Sequence, residues 1–111
     1  MKPNRESDRI RALNDSFRQT FIGGRILKTD GVAAQDEAVQ QNLISKLKAF
    51  GRFESGNDPY GEHDFGSVEL GGTTFFWKID YYDLSIQHGA ADPADPETTM
   101  RVLTIMCADE Y

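Results

Sequence analysis

The stretch GEHDFG, residues 61–66, places His63 between two carboxylates, Glu62 and Asp64, just ahead of an apolar run. An imidazole facing a carboxylate can act as a general base with its orienting acid. Neighbouring residues on an extended strand point to opposite faces, so Glu62, His63 and Asp64 do not converge on one ion or substrate while the segment stays extended. A working partner for His63 must come from another strand.

Gly71-Gly72 indicates which strand. Two runs, DFGSVEL and TTFFWKIDYY, flank this pair, and a double glycine in that setting signals a two-residue hairpin loop. Leu70 then pairs with Thr73, Val68 with Phe75, Gly66 with Trp77 and Asp64 with Ile79. Leu70, Val68, Phe75, Trp77, Ile79 and Tyr81 share one face, the expected core, and Gly66 leaves room for the indole across from it. The other face collects Glu69, Thr74, Ser67, Phe76, Phe65, Lys78, His63, Asp80 and Tyr82, with His63 directly opposite Asp80. Two readings follow. In one, His63 and Asp80, helped by Lys78 or Tyr82, form a catalytic set for acid–base work on a small substrate. In the other, His63 and Asp80 are a cross-strand pair on a solvated face, fixing the register for about 0.2–1 kcal/mol.

Other chemistries find less support. Two histidines and one cysteine, with no HxH, HExxH or CxxC spacing and His88 in a separate loop, supply no metal-ligand set, and no cofactor is expected. Ser67 shares a face with His63 but lies about 13 Å away at about 3.3 Å per residue, beyond hydrogen-bond reach. Cys107 sits in an apolar strand as a small hydrophobe. The glycine pairs at 23–24 and 71–72 lack a P-loop lysine and read as a helix cap and a turn. DPADPE, residues 92–97, is either an acidic docking loop or a stiff solvated turn.

The elements that position these residues can be read from periodicity. Ile10, Leu13, Phe17 and Phe21 form one stripe of a helix over about residues 5–20, ended by the glycines of IGG. RILKT follows as a strand with a turn at Asp30-Gly31. A second helix over about 34–50 carries Val39, Leu43, Ile44, Leu47 and Phe50 on one face, acids in its first turn and Lys46 and Lys48 near its end. Loops at 51–63 and 84–99 bracket the hairpin, and RVLTIMCA forms the last strand. The expected fold is a single α+β domain, a two-layer sandwich of order α-β-α-β-β-β. Two helices lie on one face of a mostly antiparallel sheet of about four strands.

The chain has 111 residues, one cysteine and a net charge of −6. It shows no signal-peptide core and no apolar run near the roughly 20 residues that cross a bilayer, so a cytoplasmic protein is expected, with no membrane partner. The acids gather in the second half, which disfavours direct nucleic-acid binding and suits the basic surface of a host protein or nucleoprotein complex. Tyrosines beside those acids offer contact area with a polar handle. The candidate contact residues are Asp58, Tyr60, Glu62, His63, Asp80, Tyr82, Asp83, Asp92 and Asp95. A homodimer or structural subunit, pairing through an outer sheet face with Phe65 and Phe76 exposed, is a further alternative.

The run NDPYGEHDFGSVEL…FFWKIDYYD…DPADPE…RVLTIMCADEY, preceded by IRALNDSFRQTFIGGRILKT, resembles a family of small uncharacterised bacterial proteins, a domain of unknown function. The resemblance brings no assigned activity or site residue. It implies a setting on plasmids and other mobile elements beside antirestriction-type genes, and through it an inhibitor of a host defence complex, of anti-CRISPR or antirestriction kind.

Overall fold

The computed structural model describes residues 6–111. Helix α1 (Glu6–Thr20) buries Ile10, Asn14, Phe17 and Arg18, so its inward stripe carries two polar residues in phase with the apolar ones. The expected first helical residue, Arg5, lies outside the described residues. The glycines of IGG do not supply the first left-handed residue after the helix. Phe21 does, with φ 60°, and its N–H reaches the Phe17 carbonyl at 2.7 Å. The Lys48 ammonium lies 4.5 Å from the Phe21 ring centroid and helps hold it there.

Strand β1 (Gly24–Lys28) leads into α2 (Asp30–Ala33), a four-residue helix where the sequence predicts a turn. The reason lies far along the chain. Glu110, in the closing 3-10 turn (Ala108–Glu110), accepts from the Thr29 hydroxyl at 2.5 Å and the Gly31 N–H at 2.9 Å, satisfying donors at the start of α2. The same carboxylate accepts the Cys107 N–H at 2.8 Å. These three bonds, the Thr29 hydroxyl foremost, hold the Glu110 carboxyl down at about 2.

Helix α3 (Glu37–Lys48), shorter than the expected span at both ends, buries Leu43 and Leu47, with Val39, Ile44 and Phe50 packed around them. Strands β2 (Phe65–Leu70), β3 (Thr73–Tyr82) and β4 (Met100–Cys107) complete a four-stranded sheet of order β1-β4-β3-β2. β2, β3 and β4 pair antiparallel, while β1 runs parallel to β4, making the sheet mixed. β4 lies between β3 and β1, and it buries Val102 and Met106 as well as Leu103 and Ile105 on the opposite face.

The hairpin register is the expected one from Phe65↔Lys78 to Leu70↔Thr73. A Cβ on Gly66 would lie 2.5 Å from the Trp77 indole, so only glycine lets the ring lie flat across β2. Gly24 is equally constrained: a Cβ there would lie 2.3 Å from the Arg101 carbonyl and 2.7 Å from the Phe17 ring, so its absence seats β1 between β4 and α1. Around Trp77 the core gathers Phe17, Leu43, Leu47, Phe75, Leu103 and Ile105. β2 begins, β3 ends and β4 begins at the same end of the sheet. Both long loops therefore emerge there.

Candidate functional site

The cross-strand pair expected at His63 and Asp80 does not form. The ladder continues to a bond from the Ile79 N–H to the Asp64 carbonyl at 2.8 Å, and then the chain turns, with His63 at φ 56°. A left-handed residue breaks the two-residue alternation that would have kept its side chain on the outer face. The Asp58 carboxylate captures the His63 N–H at 2.9 Å in that turn. The imidazole goes to the helical side, stacked on Phe53 at 3.6 Å with an interplanar angle of 3°. Its Nδ1 lies 2.8 Å from Asp15 on α1, and its Nε2 3.6 Å from Asp58. Asp80 stays on the outer face in an ion pair with Lys78 at 3.1 Å, and Tyr82 bridges to Gly89. His63, Asp80, Lys78 and Tyr82 are thus not assembled into one catalytic set.

Two polar networks hold the loops instead. In the first, Arg18 pairs with Asp15 at 2.9 Å and donates to the Leu47 and Phe50 carbonyls at 3.2 and 3.1 Å, satisfying acceptors at the end of α3. Its guanidinium also lies over Phe53 and Trp77, 5.3 and 5.5 Å from their centroids. Asp15 thereby joins this buried cation to His63 and the 49–64 loop.

In the second network, the buried Asn14 amide donates to the Glu62 carbonyl at 3.0 Å and the Tyr81 hydroxyl at 2.8 Å, while its oxygen accepts from Arg101 at 2.7 Å. Tyr81 donates to the Glu62 carboxylate at 3.0 Å. Burial pushes the Tyr81 hydroxyl well above its ordinary range, so it remains a proton donor at neutral pH. Arg101 donates onward to the Pro93 carbonyl in the 83–99 loop. Burial lowers the Arg101 guanidinium from its usual value, with Tyr81 and Glu62 opposing the shift. One asparagine thus ties α1, β3, β4 and both loops together.

The expected contact residues divide into two groups. Asp58, with only 6% of its side chain exposed, Glu62 and His63 are internal fasteners of the loop end. Asp83 accepts from the Gln87 N–H and the Ser85 hydroxyl, which lower its carboxyl in that order. Asp92 and Asp95 accept from the N–H groups of Ala94 and Glu97, two residues on, so DPADPE is a pair of stiff Asx turns that keep their acids at the surface. Tyr60 is 78% exposed. Beside it on the outer sheet face is an open depression of about 450 Å³, lined by Tyr60, Asp64, Phe65, Lys78, Asp80 and Tyr111. Asp64 is raised from its ordinary carboxyl value, by burial first and then by the charges of Glu62, Asp58 and Asp80. Phe65 and Phe76 are half-buried against each other and Tyr111 rather than exposed.

Asn14, Asp15, Arg18 and Arg101 carry this end of the molecule without having been singled out in the sequence. The available signal was phase: Asn14 and Arg18 fall on the Ile10–Phe17 stripe, and Arg101 alternates with Leu103 and Ile105. Among the described residues, no three His, Cys, Asp or Glu side chains gather to hold a metal ion, and no helix is long and apolar enough to cross a membrane. Cys107 lies at the core margin, its thiol pushed up by burial and by Glu110.

Residues 28–110 match the family described as a protein of unknown function, DUF3768, and the chain belongs to that family. No curated protein and no solved structure matches it. The matched segment begins within β1, yet α1 before it supplies Asn14, Asp15 and Arg18 to both networks.

Proposed function

We propose that the protein is a non-enzymatic binding protein that engages a basic surface of another protein or nucleoprotein complex through its acidic loop end. What supports this reading is the placement of the two long loops. The sheet brings them to one end, and the Asn14 and Arg18 networks fix them there with Asp83, Asp92 and Asp95 at the surface and Tyr60 projecting. Pre-ordered carboxylates lose little entropy on binding and steer a basic partner at low salt. In the form suggested by the family resemblance, the target is a bacterial defence complex. Its nucleic-acid groove would meet carboxylates where phosphates otherwise sit.

Asp→Asn changes at positions 83, 92 and 95 test the proposal, because asparagine keeps the turn-capping oxygen and removes the charge. The triple variant should fold as the parent does. Its binding to the defence-complex subunit captured by the parent chain should weaken by about tenfold or more at low salt, and the difference should shrink as salt rises. Unchanged, salt-independent binding by the triple variant would overturn the reading.

A further inference from the structure

The two edges of the sheet are not alike. β1 is five residues long and carries Arg25 and Lys28 exposed, the usual protection of an edge against strand addition. β2, the other edge, has neither lysine nor proline in Phe65–Leu70. In a hairpin closed by two residues, Leu70, Val68 and Gly66 exchange their backbone bonds with β3, a phase that the Ile79-to-Asp64 bond continues. The N–H and C=O groups of Ser67 and Glu69 consequently point away from the sheet, and both residues are exposed.

Two furrows run beside this edge, under α3. One, of about 400 Å³, lies between Val68 and Phe50, with Lys46, Arg52 and Glu69 in its wall. The other, of about 290 Å³ at the hairpin end, is lined in part by Val39, Leu70 and Phe75. Lys46 and Arg52 are exposed, and neither has an ion-pair partner among the described residues. Successive side chains on one face of an added strand stand two residues apart, the same interval as Val68 and Leu70 on β2.

We propose that β2 accepts an extended acidic segment of a partner protein as a fifth strand. The segment's backbone bonds to Ser67 and Glu69. A carboxylate of the segment meets Lys46 and Arg52, and an apolar side chain two residues away enters the furrow at Val39 and Leu70. Backbone pairing supplies affinity, and the two furrows supply the sequence preference. Charge complementarity selects this occupant: Lys46 and Arg52 outnumber the one acid of the furrow, Glu69, whose carboxylate is engaged by the Thr74 hydroxyl at 2.6 Å. Arg52 belongs to the 49–64 loop, but this surface shares no residue with Asp83, Asp92 and Asp95, so either can fail without the other.

The test is selection of random ten-residue peptides on phage against the full chain. Enriched peptides should carry Asp or Glu two positions from an apolar residue, and on binding they should slow amide exchange at Ser67 and Glu69 but not in β1. Ser67→Pro removes an outward N–H and leaves the β2–β3 ladder intact; it should weaken binding about tenfold or more. A Lys46→Glu, Arg52→Glu double variant, which touches no backbone, should weaken it similarly at low salt, whereas the Asp→Asn triple variant should bind normally. Failure to enrich, or binding indifferent to the Lys46 and Arg52 reversals, would overturn the proposal. A concentration-dependent dimer abolished by Ser67→Pro would do the same by making a second copy the occupant.

Discussion

His63 fastens the 49–64 loop to α1 through Asp15 and to the loop itself through Asp58, with Phe53 stacked on its ring. Its backbone is left-handed, which costs a residue with a Cβ about 1–3 kcal/mol. Two substitutions separate the side chain from the backbone. His63→Ala loses the contacts and keeps the strain, whereas His63→Gly loses the contacts and relieves it. His63→Gly should therefore be the more stable of the two in urea unfolding, by about 0.5–1 kcal/mol. In both, amide exchange should quicken in the loop before it quickens in β3 or β4. If the alanine variant is the more stable, the left-handed turn is not what places the ring. Gly66 was legible in the sequence because it sits inside a regular ladder, where register is arithmetic. His63 lies one residue beyond Asp64, the last to bond in that ladder, and although histidine is among the side-chain-bearing residues enriched in left-handed turns, its type alone does not place one there. The arithmetic carried it to Asp80 when an acceptor at Asp58 had already drawn the backbone away.

α2 and the closing 3-10 turn stabilise one another through Glu110. Its carboxyl titrates at about 2 in the fold, against an ordinary value of 4.5. Between those two values the unfolded chain binds more protons than the folded one. The contribution is therefore complete above about pH 4.5 and is lost as pH falls towards about 2. Unfolding followed from pH 7 down to the acid limb should show this loss in the parent. Glu110→Gln should be less stable at neutral pH and should lack that part of the acid dependence. Equal acid slopes in the two proteins would count against the clamp. The Asp30-Gly31 turn expected from local sequence became a helix because its N-terminal donors are met from the far end of the chain, a partner invisible to any short window. β4 was legible for the opposite reason: VLTIM reads as a nearly continuous apolar run, which fits a central strand covered on both faces.

Across the whole molecule, the α+β class, the helical layer and the hairpin followed from periodicity, because amphipathic stripes must be buried against something. The buried polar network did not, since Asn14, Tyr81, Glu62 and Arg101 meet only once the fold has formed. Asn14→Leu tests its weight. The substitution is close in volume but removes the acceptor of a buried guanidinium, and it should cost about 1.5–3 kcal/mol with a loss of order in both long loops. A neutral effect would place the loop anchoring elsewhere. The parallel pairing of β1 with β4 bears on how the chain acquires its shape. Gly24 and its neighbours have no sheet partner until Arg101 and the residues after it are available, and Thr29 waits for a carboxylate 81 residues downstream. During synthesis α1 gains α3 as a partner for Phe17 and Arg18 as soon as that helix emerges, whereas β1 has no neighbour in the sheet until β4 is complete. The entropy of closing so long a span makes the docking of β1 a late, slow event in the route to the native state.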